Sequence, residues 1–585
     1  MFILRQFQFN YVNDTSFVRE LRKLSQWCKT MISSTVFFQI YTESVDKEKI
    51  ESLCELIRRE MPGAYYMGCS TNGNILNGEF TGYDTAVTCT VCEYPSTQIS
   101  IKQFVLTPET EVSVTDEVID YVSHNPWVKA VEMLVTIRGL SMTGFCDRLD
   151  KIRDGVYVFG GGAFIPDFGN NACVFSSDGG YSEKGAVFLF MGGDDLHIDT
   201  TYITGWKPLG RELLVNKAEG AILYELDGRP AFDTYYKYLN IQNDEHFFTN
   251  TLEFPFVYEY NGISILRAPI ASNEDGSLEM TADIDTGVYA RIAYGDPWTI
   301  LESVKNGAEG IRPFQPEVIH VFSCAARRTF WGKDEVSKET MPFQTLAPTS
   351  GFYTSGEFLR SQGHVNQHNV TLVVAAMREG ELVGDYNDNF EMKEENFSGK
   401  VSMINRLATF IEAATEELEE ANAKLAKMAV TDALTGLYNR GEIQSQISKG
   451  IKSGRAVSLI MLDLDNFKSV NDTYGHKEGD NVIRGLCKVI NDKLAAMSDN
   501  GRAGRWGGEE FMILLEEGDS DKAEQIAESI RESFSTVEFS ACGKRTVSIG
   551  VTKALSGESA DSTVMRADNA LYEAKGTGKN KVVIA

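Results

Sequence analysis

Two carboxylates, Asp463 and Asp465, close an apolar run in AVSLIMLDLDNF. Alternation along a strand puts both on one face at its C-terminal end. Carboxylates there, with no Cys or His cluster nearby, suit a hard, oxygen-seeking cation such as Mg²⁺. Further on, GRAGRWGGEEFMILLEE reads as strand, Gly-Gly turn, strand: a hairpin with Glu509 and Glu510 at its tip. Gly507 and Gly508 permit positive φ and let a ligand approach the backbone closely. With this hairpin beside the first strand, Asp463 and Glu509 can share metals. In AKGTGKNKV, Lys575 and Lys579 flank a glycine-containing loop suited to neutralising phosphate. Singly, each is commonplace: a solvated strand end, a turn, two exposed lysines. In this order they have a joint meaning.

These residues closely resemble the GGDEF family, the diguanylate cyclases, over about 430–585. The resemblance rests on DALTGLYNR (432–440), DLDNFKSVNDTYGHKEGD (463–480), RWGGEEF (505–511), SIG (548–550) and ADNALYEAKGTGKN (567–580). It implies a palm or nucleotidyl-cyclase-like α+β domain that joins two GTP into cyclic di-GMP and releases two pyrophosphates. It further implies Mg²⁺ or Mn²⁺, two per active half-site, held by Asp463, the Leu464 carbonyl and Glu509. Glu509 is then tied to activation of the 3′-hydroxyl, and Glu510 completes the signature, serving metal or catalysis. Gly507 and Gly508 lie against the nucleotide, and Lys468, Lys575 and Lys579 contact phosphates. Asn471 and Asp480 read the guanine edge. A carboxylate can accept from both N1–H and the exocyclic amine of guanine, a pair adenine does not offer, so Asp480 favours GTP over ATP. The family's RxxD product-inhibition motif is missing: its positions are Ser498 and Gly501. The resemblance thus implies no product inhibition through that site.

Each such domain binds one GTP, so product formation needs two domains facing each other. The stretch VSMINRLATFIEAATEELEEANAKLAKMAV, free of Gly and Pro, supplies the means. Its apolar positions Ile404, Leu407, Ile411, Ala414, Leu418, Ala421, Leu425 and Met428 step alternately by three and four, a heptad seam. This predicts a parallel coiled-coil homodimer over 400–429. Three core alanines make it weak alone, so flanking domains must support it.

Residues 34–380 resemble the FIST sensory domains, N- and C-terminal parts, through MGCSTNGNI (67–75), GGGAF (160–164), FSCAARR (322–328), GFYTSGEF (351–358) and HNVTL (368–372). The resemblance implies a small-molecule ligand, amino acids being one candidate class. Cys324 and Arg327 follow an apolar strand, Glu357 follows a glycine, and His368 with Asn369 precedes another strand. Arg327 could clamp a carboxylate in bidentate fashion, and Glu357 could meet an ammonium. The plainer reading makes Cys324 a buried small hydrophobe and His368 a satisfied turn residue. Cys69 reads as a packed turn residue rather than a nucleophile.

The whole chain fits this division. Its 585 residues suggest roughly two to four units. Hydrophobic residues make up 43% and charged residues 24%, which excludes a mostly disordered chain. The net charge of −27 argues against broad capture of nucleic acid or anionic membrane. From 429 onward, 20 basic residues face 23 acidic ones, so the acidity lies upstream and spares the last domain. No apolar run approaches a membrane span, and the start does not read as a signal peptide. Ten scattered cysteines do not make a disulfide scaffold. Cys89 and Cys92 lie on a β-branched run that puts them on opposite faces, and the cytoplasm is the expected compartment. No short-period repeat stands out. The expected organisation is a mixed α/β two-part sensory module (1–215 and 216–395), a coiled-coil helix (400–429) and the α+β domain (430–585). The rival readings are a catalytically silent scaffold binding GTP or cyclic di-GMP, and a cyclase making an adenine-containing dinucleotide.

Overall fold

The computed structural model describes residues 4–31, 35–137, 140–164, 171–382, 403–453, 456–498, 500–516 and 520–585. Two compact units divide the chain, Met1–Ala413 and Ala414–Ala585.

The first unit is a threefold internal repeat. Each copy runs leading strand, helix, first parallel strand, helix, second parallel strand, hairpin, closing strand. In the first copy the strands are Arg5–Asn10, Thr35–Thr42, Tyr65–Ser70, the hairpin Asn74–Leu76/Glu79–Thr81, and Thr85–Cys92. In the second they are Gln98–Val105, Val128–Val135, Tyr157–Gly162, Val174–Ser176/Gly180–Ser182 and Gly185–Gly192. In the third they are Leu196–Ile203, Val318–Cys324, Thr349–Thr354, Glu357–Ser361/His364–His368 and Leu372–Glu379. Each copy builds four strands of one sheet, in the order leading, closing, first parallel, second parallel. The outer two strands come from another copy. The second hairpin completes the first sheet, the third completes the second, and the first completes the third.

A glycine recurs at one position of each second parallel strand: Gly68, Gly160 and Gly351, opposite Ile40, Met133 and Val321. A Cβ there would stand 2.3, 2.0 and 1.8 Å from those residues' carbonyl oxygens, so the strands pack only without side chains at these points. One residue earlier on each first parallel strand, Gln39, Glu132 and His320 converge from the three sheets, all fully buried. The Gln39 amide donates to both Glu132 oxygens at 2.7 and 2.8 Å and lies 3.0 Å from His320 Nδ1, which gives the buried carboxylate its partners. The surrounding core draws Phe37, Tyr41, Leu134, Phe159, Phe322 and Phe352 from all three copies.

The third copy is interrupted after its leading strand by an inserted antiparallel sheet of eight strands, Trp206–Glu219 through Tyr289–Gly295, with its own apolar core. The expected division near residue 215 falls inside the first inserted strand. That strand lies within the compact unit Met1–Ala413. Cys89 packs in an outer cluster and Cys92 in the central one, on opposite faces as the alternation predicts. Cys69 is a buried strand residue rather than a turn residue, and burial pushes its thiol well above the usual range.

Met403–Val430 is one helix, as its lack of Gly and Pro predicts; residues 400–402 of the expected coiled coil lie outside the described residues. Of the seam, Leu407, Ile411, Leu418, Leu425 and Met428 are exposed. In the second unit five strands run Gly501–Arg505, Glu510–Leu515, Ser458–Leu464, Val547–Lys553, Val582–Ile584, and only the last pair is parallel. The central strand Ser458–Leu464 is buried on both faces, beneath the helices His476–Met497 and Ser520–Thr536 on one side and Ala560–Gly576 on the other. That explains its unbroken apolar run. Among the described residues no helix is long and apolar enough to cross a membrane.

Candidate functional site

Asp463 is the penultimate residue of the central strand, in register with Glu510 on one side and Ser548 on the other. It is 5% exposed. Burial lifts its carboxyl to about 6, the Lys575 ammonium at 2.6 Å opposes the rise, and Glu509 and Glu510 add to it. The backbone of Leu464 is tied to the Glu509 carbonyl at 3.4 Å. Asp463, Leu464, Glu509 and Glu510 are therefore gathered at one sheet end. Among the described residues no three His, Cys, Asp or Glu side chains meet closely enough to hold a metal by themselves. The donor set still suits a hard cation: a buried carboxylate, already drawing a positive group, with two more carboxylates acting on it.

Asp465 parts from Asp463 in role. Past the strand end it accepts from Thr546 Oγ1 at 2.7 Å, Ser548 Oγ at 2.6 Å and the Asn580 amide at 3.0 Å. Its lone pairs are thus spent on fixing the chain around Asn580. Gly578, Lys579 and Asn580 there all adopt positive φ. This turn brings Lys579 to the Asn466 side chain while Lys575 reaches Asp463. Both lysines arrive at the strand end, held by side chains of the protein.

The hairpin turn forms as expected, with Trp506 and Gly507 amides donating to the Glu510 carbonyl. Neither Gly507 nor Gly508 uses the positive φ that glycine permits. What Gly508 supplies is open space, since nothing lies within 4 Å of where its Cβ would be; at Gly507 the Cβ would meet the Glu510 side chain. Arg505 donates to the Gly508 carbonyl at 2.6 Å and to both Asp432 oxygens at 3.2 and 3.3 Å. Nearby, Asn439 caps the long helix, its amides reaching the Val430 and Ala429 carbonyls. Sequence reasoning assigned Arg505 to the signature but not this link, whose partner is 73 residues away.

Asn471 and Asp480 lie on the helices Phe467–Tyr474 and His476–Met497, joined at Gly475 with φ 84°. A Cβ on Gly479 would be 2.0 Å from Asn471 Oδ1, so this glycine leaves room for the Asn471 side chain against the start of the second helix. Lys468 is exposed on the first of these helices. Ser498 caps the second, and Arg502 is engaged by Gln446 and Glu516.

In the first unit Arg327 does not present a free clamp. It is fully buried, paired in bidentate fashion with Glu339 at 2.6 and 3.0 Å, and bonded to the Thr204 and Val370 carbonyls. A carboxylate supplied by the fold has taken the place expected for a ligand. Cys324 is buried, and burial raises its thiol well above the usual range. Glu357 and His368 face each other across the third hairpin. Burial pushes the Glu357 carboxyl well up and the His368 ring down to about 3, with Arg267 adding to the latter. Both ring nitrogens of His368, Glu357 Oε1 and Asn369 Nδ2 are buried without a partner, so His368 is not the satisfied turn residue of the plainer reading.

Residues 429–581 match the family described as diguanylate cyclase, GGDEF domain; 36–229 match the FIST N domain and 231–360 the FIST C domain. Diguanylate cyclase VdcA of Vibrio cholerae is 40% identical over 188 residues, 31% of this chain and 55% of that protein. Diguanylate cyclase DgcM of Escherichia coli is 39% identical over 173 residues, 29% of this chain and 42% of that protein. The chain thus spans about half the length of these relatives. A solved structure of the coiled coil and GGDEF domain of DgcB from Caulobacter crescentus, in complex with c-di-GMP, is 32% identical with a TM-score of 0.29, covering 32% of this chain and 100% of that one.

Proposed function

We propose that this chain, which carries a GGDEF domain at its C-terminal end and FIST N and FIST C domains ahead of it, is a sensor-regulated diguanylate cyclase. The observation that carries the reading is the buried Asp463 carboxylate, drawing the Lys575 ammonium, with Glu509 and Glu510 delivered beside it by a turn left open at Gly508.

Asn471 and Asp480 hold the guanine edge of GTP, and Lys468, Lys575 and Lys579 meet its phosphates. Lys575 exchanges its carboxylate partner for substrate. Asp463, the Leu464 carbonyl and Glu509 would hold Mg²⁺ or Mn²⁺, two ions per half-site, which when bound polarise the α-phosphate and stabilise the leaving pyrophosphate. Glu509 assists removal of the 3′-hydroxyl proton. The 3′-oxygen of one GTP bonds to the α-phosphorus of the other as the bond to the β-phosphate bridging oxygen breaks; two such steps give cyclic di-GMP and two pyrophosphates. The two half-sites come from two copies of the chain, and the exposed heptad seam supports a homodimer. The FIST domains are read as binding a small ligand that governs this encounter.

Full-length protein with GTP and Mg²⁺, its products identified by mass spectrometry, tests the reading. Cyclic di-GMP is expected, and Glu509→Ala should lower turnover by about a hundredfold or more. GTP binding without turnover would favour the scaffold reading, and mixed products from GTP plus ATP the adenine-containing one.

A further inference from the structure

The threefold repeat gives the first unit an internal control: a position can be compared with its two counterparts. Glu357 pairs with Gly161, one residue beyond the recurring glycine; Asn74 and Val174 hold the same place in the other copies. Asn74 is satisfied, accepting from Thr71 and donating to the Tyr83 and Asp84 carbonyls, and Val174 is apolar. Opposite them, Thr81 bonds Asn10 and Ser182 bonds the Lys184 carbonyl. At this position, among the described residues, the third copy alone buries a carboxyl against an imidazole, with Glu357 Oε1 and both His368 ring nitrogens left without a partner while Glu357 Oε2 accepts from the Thr371 amide. Unpartnered buried polar groups cost about 1–3 kcal/mol each, and several in one place call for a missing partner.

A buried cation lies in the same place. Arg267, 3% exposed, donates to Asn369 Oδ1 at 3.1 Å and to the Gln367, Leu266 and Asp283 carbonyls. Among the described residues it forms no ion pair with a carboxylate, unlike Arg327 with Glu339. A guanidinium taken out of water without a counter-charge is expensive. The chain next to it is strained as well: Val370, a β-branched residue, takes φ 57°. That conformation is held by Arg327 at its carbonyl and by the Thr371 amide donating to Glu357. Tyr202, itself half-buried, packs on the His368 ring at 4.9 Å, so the cluster is about one side chain below the surface.

We propose that Arg267, His368, Asn369 and Glu357 form a binding site for a small organic monoanion bearing a carboxylate. Arg267 supplies one uncompensated positive charge, which suits one negative charge and disfavours a phosphate dianion. The Asn369 amide, the His368 N–H and a neutral Glu357 hydroxyl are three donors for the two carboxylate oxygens, and the second His368 nitrogen can accept from a ligand hydroxyl. Arg267 thus takes the part that the sequence suggested for Arg327. Binding stands independently of catalysis; only its effect on turnover rests on the cyclase reading above.

Thermal unfolding of the full chain, followed by tryptophan fluorescence, tests the site with acetate and lactate as probes. Acetamide, lactamide and sodium chloride at equal ionic strength serve as controls. The two carboxylates are expected to raise the melting temperature saturably, the neutral amides and chloride not to do so, and Arg267→Gln to lose the shift. His368→Gln keeps the test open should Arg267→Gln fail to fold, and is expected to weaken the shift at least tenfold in midpoint concentration. No shift with either carboxylate, a shift equalled by the amides or chloride, or one undiminished in the variants would overturn the proposal and leave ordered water as the partner. GTP turnover measured alongside separates the two readings: a carboxylate-specific shift with turnover unchanged keeps the site and removes its link to the cyclase.

Discussion

At the scale of single residues, Asp463 carries the tension of the candidate site. Its folded-state pKa is raised from 3.8 to about 6, so the fold prefers the protonated acid. The stability this gives is present in acid and is lost as pH climbs from about 4 through about 6. Asp463→Asn removes the buried charge. Its melting temperature should exceed the parent's by about 2–4 °C at pH 7.5, the shift of roughly 1 kcal/mol in a domain of this size, and by less at pH 5, while turnover is abolished. Calorimetry at the two pH values checks this; a variant less stable than the parent at pH 7.5 would show that the Lys575 pair outweighs burial. That Asp463, Glu509 and the two lysines meet at one sheet end was legible because strand ends, glycine turns and loop lysines are local patterns. Asp465 was misread as a partner in metal chemistry because its three donors come from Thr546, Ser548 and Asn580, which only the folded sheet brings near. Arg327 was misread for the same reason, its Glu339 being fixed by tertiary packing.

At the scale of elements, the helix Met403–Val430 leaves Leu418 and Leu425 each 61% exposed on one seam. An uncovered stripe of this kind is suited to pairing with another helix. Replacing both residues by Glu puts like charges into that seam. Sedimentation should then show dissociation at micromolar protein, and turnover per protomer should become dependent on protein concentration. A variant that stays dimeric with unchanged turnover would place the dimer contact elsewhere. The heptad could be read directly, since its period is local. The threefold repeat could not, although MGCSTNG, GGGAF and GFYTSGEF are its three copies of one strand end. Only the glycine and its strand context recur, and interior residues as unlike as Gln39, Glu132 and His320 fill one equivalent place. The insert at 206–295 then hides the period.

At the scale of the molecule, two compact units predict two unfolding transitions. Gly351→Ala puts a methyl 1.8 Å from the Val321 carbonyl, a clash with backbone that no rotamer relieves. It should lower the stability of the Met1–Ala413 transition by about 3 kcal/mol or more and leave the other unmoved, as scanning calorimetry would show. The exchanged hairpins also set a timetable for synthesis. The hairpin Asn74–Thr81 pairs with Thr349–Thr354, a strand that emerges roughly 270 residues after it. At about 5–20 residues per second, the newly made N-terminal segment waits roughly 15–55 s with an unpaired edge exposed. No one of the three sheets can close before the chain supplying its last hairpin has left the ribosome. The first unit is therefore complete only once the chain has been made as far as Glu379 of 585 residues, and until then it depends on whatever in the cell shields open strand edges.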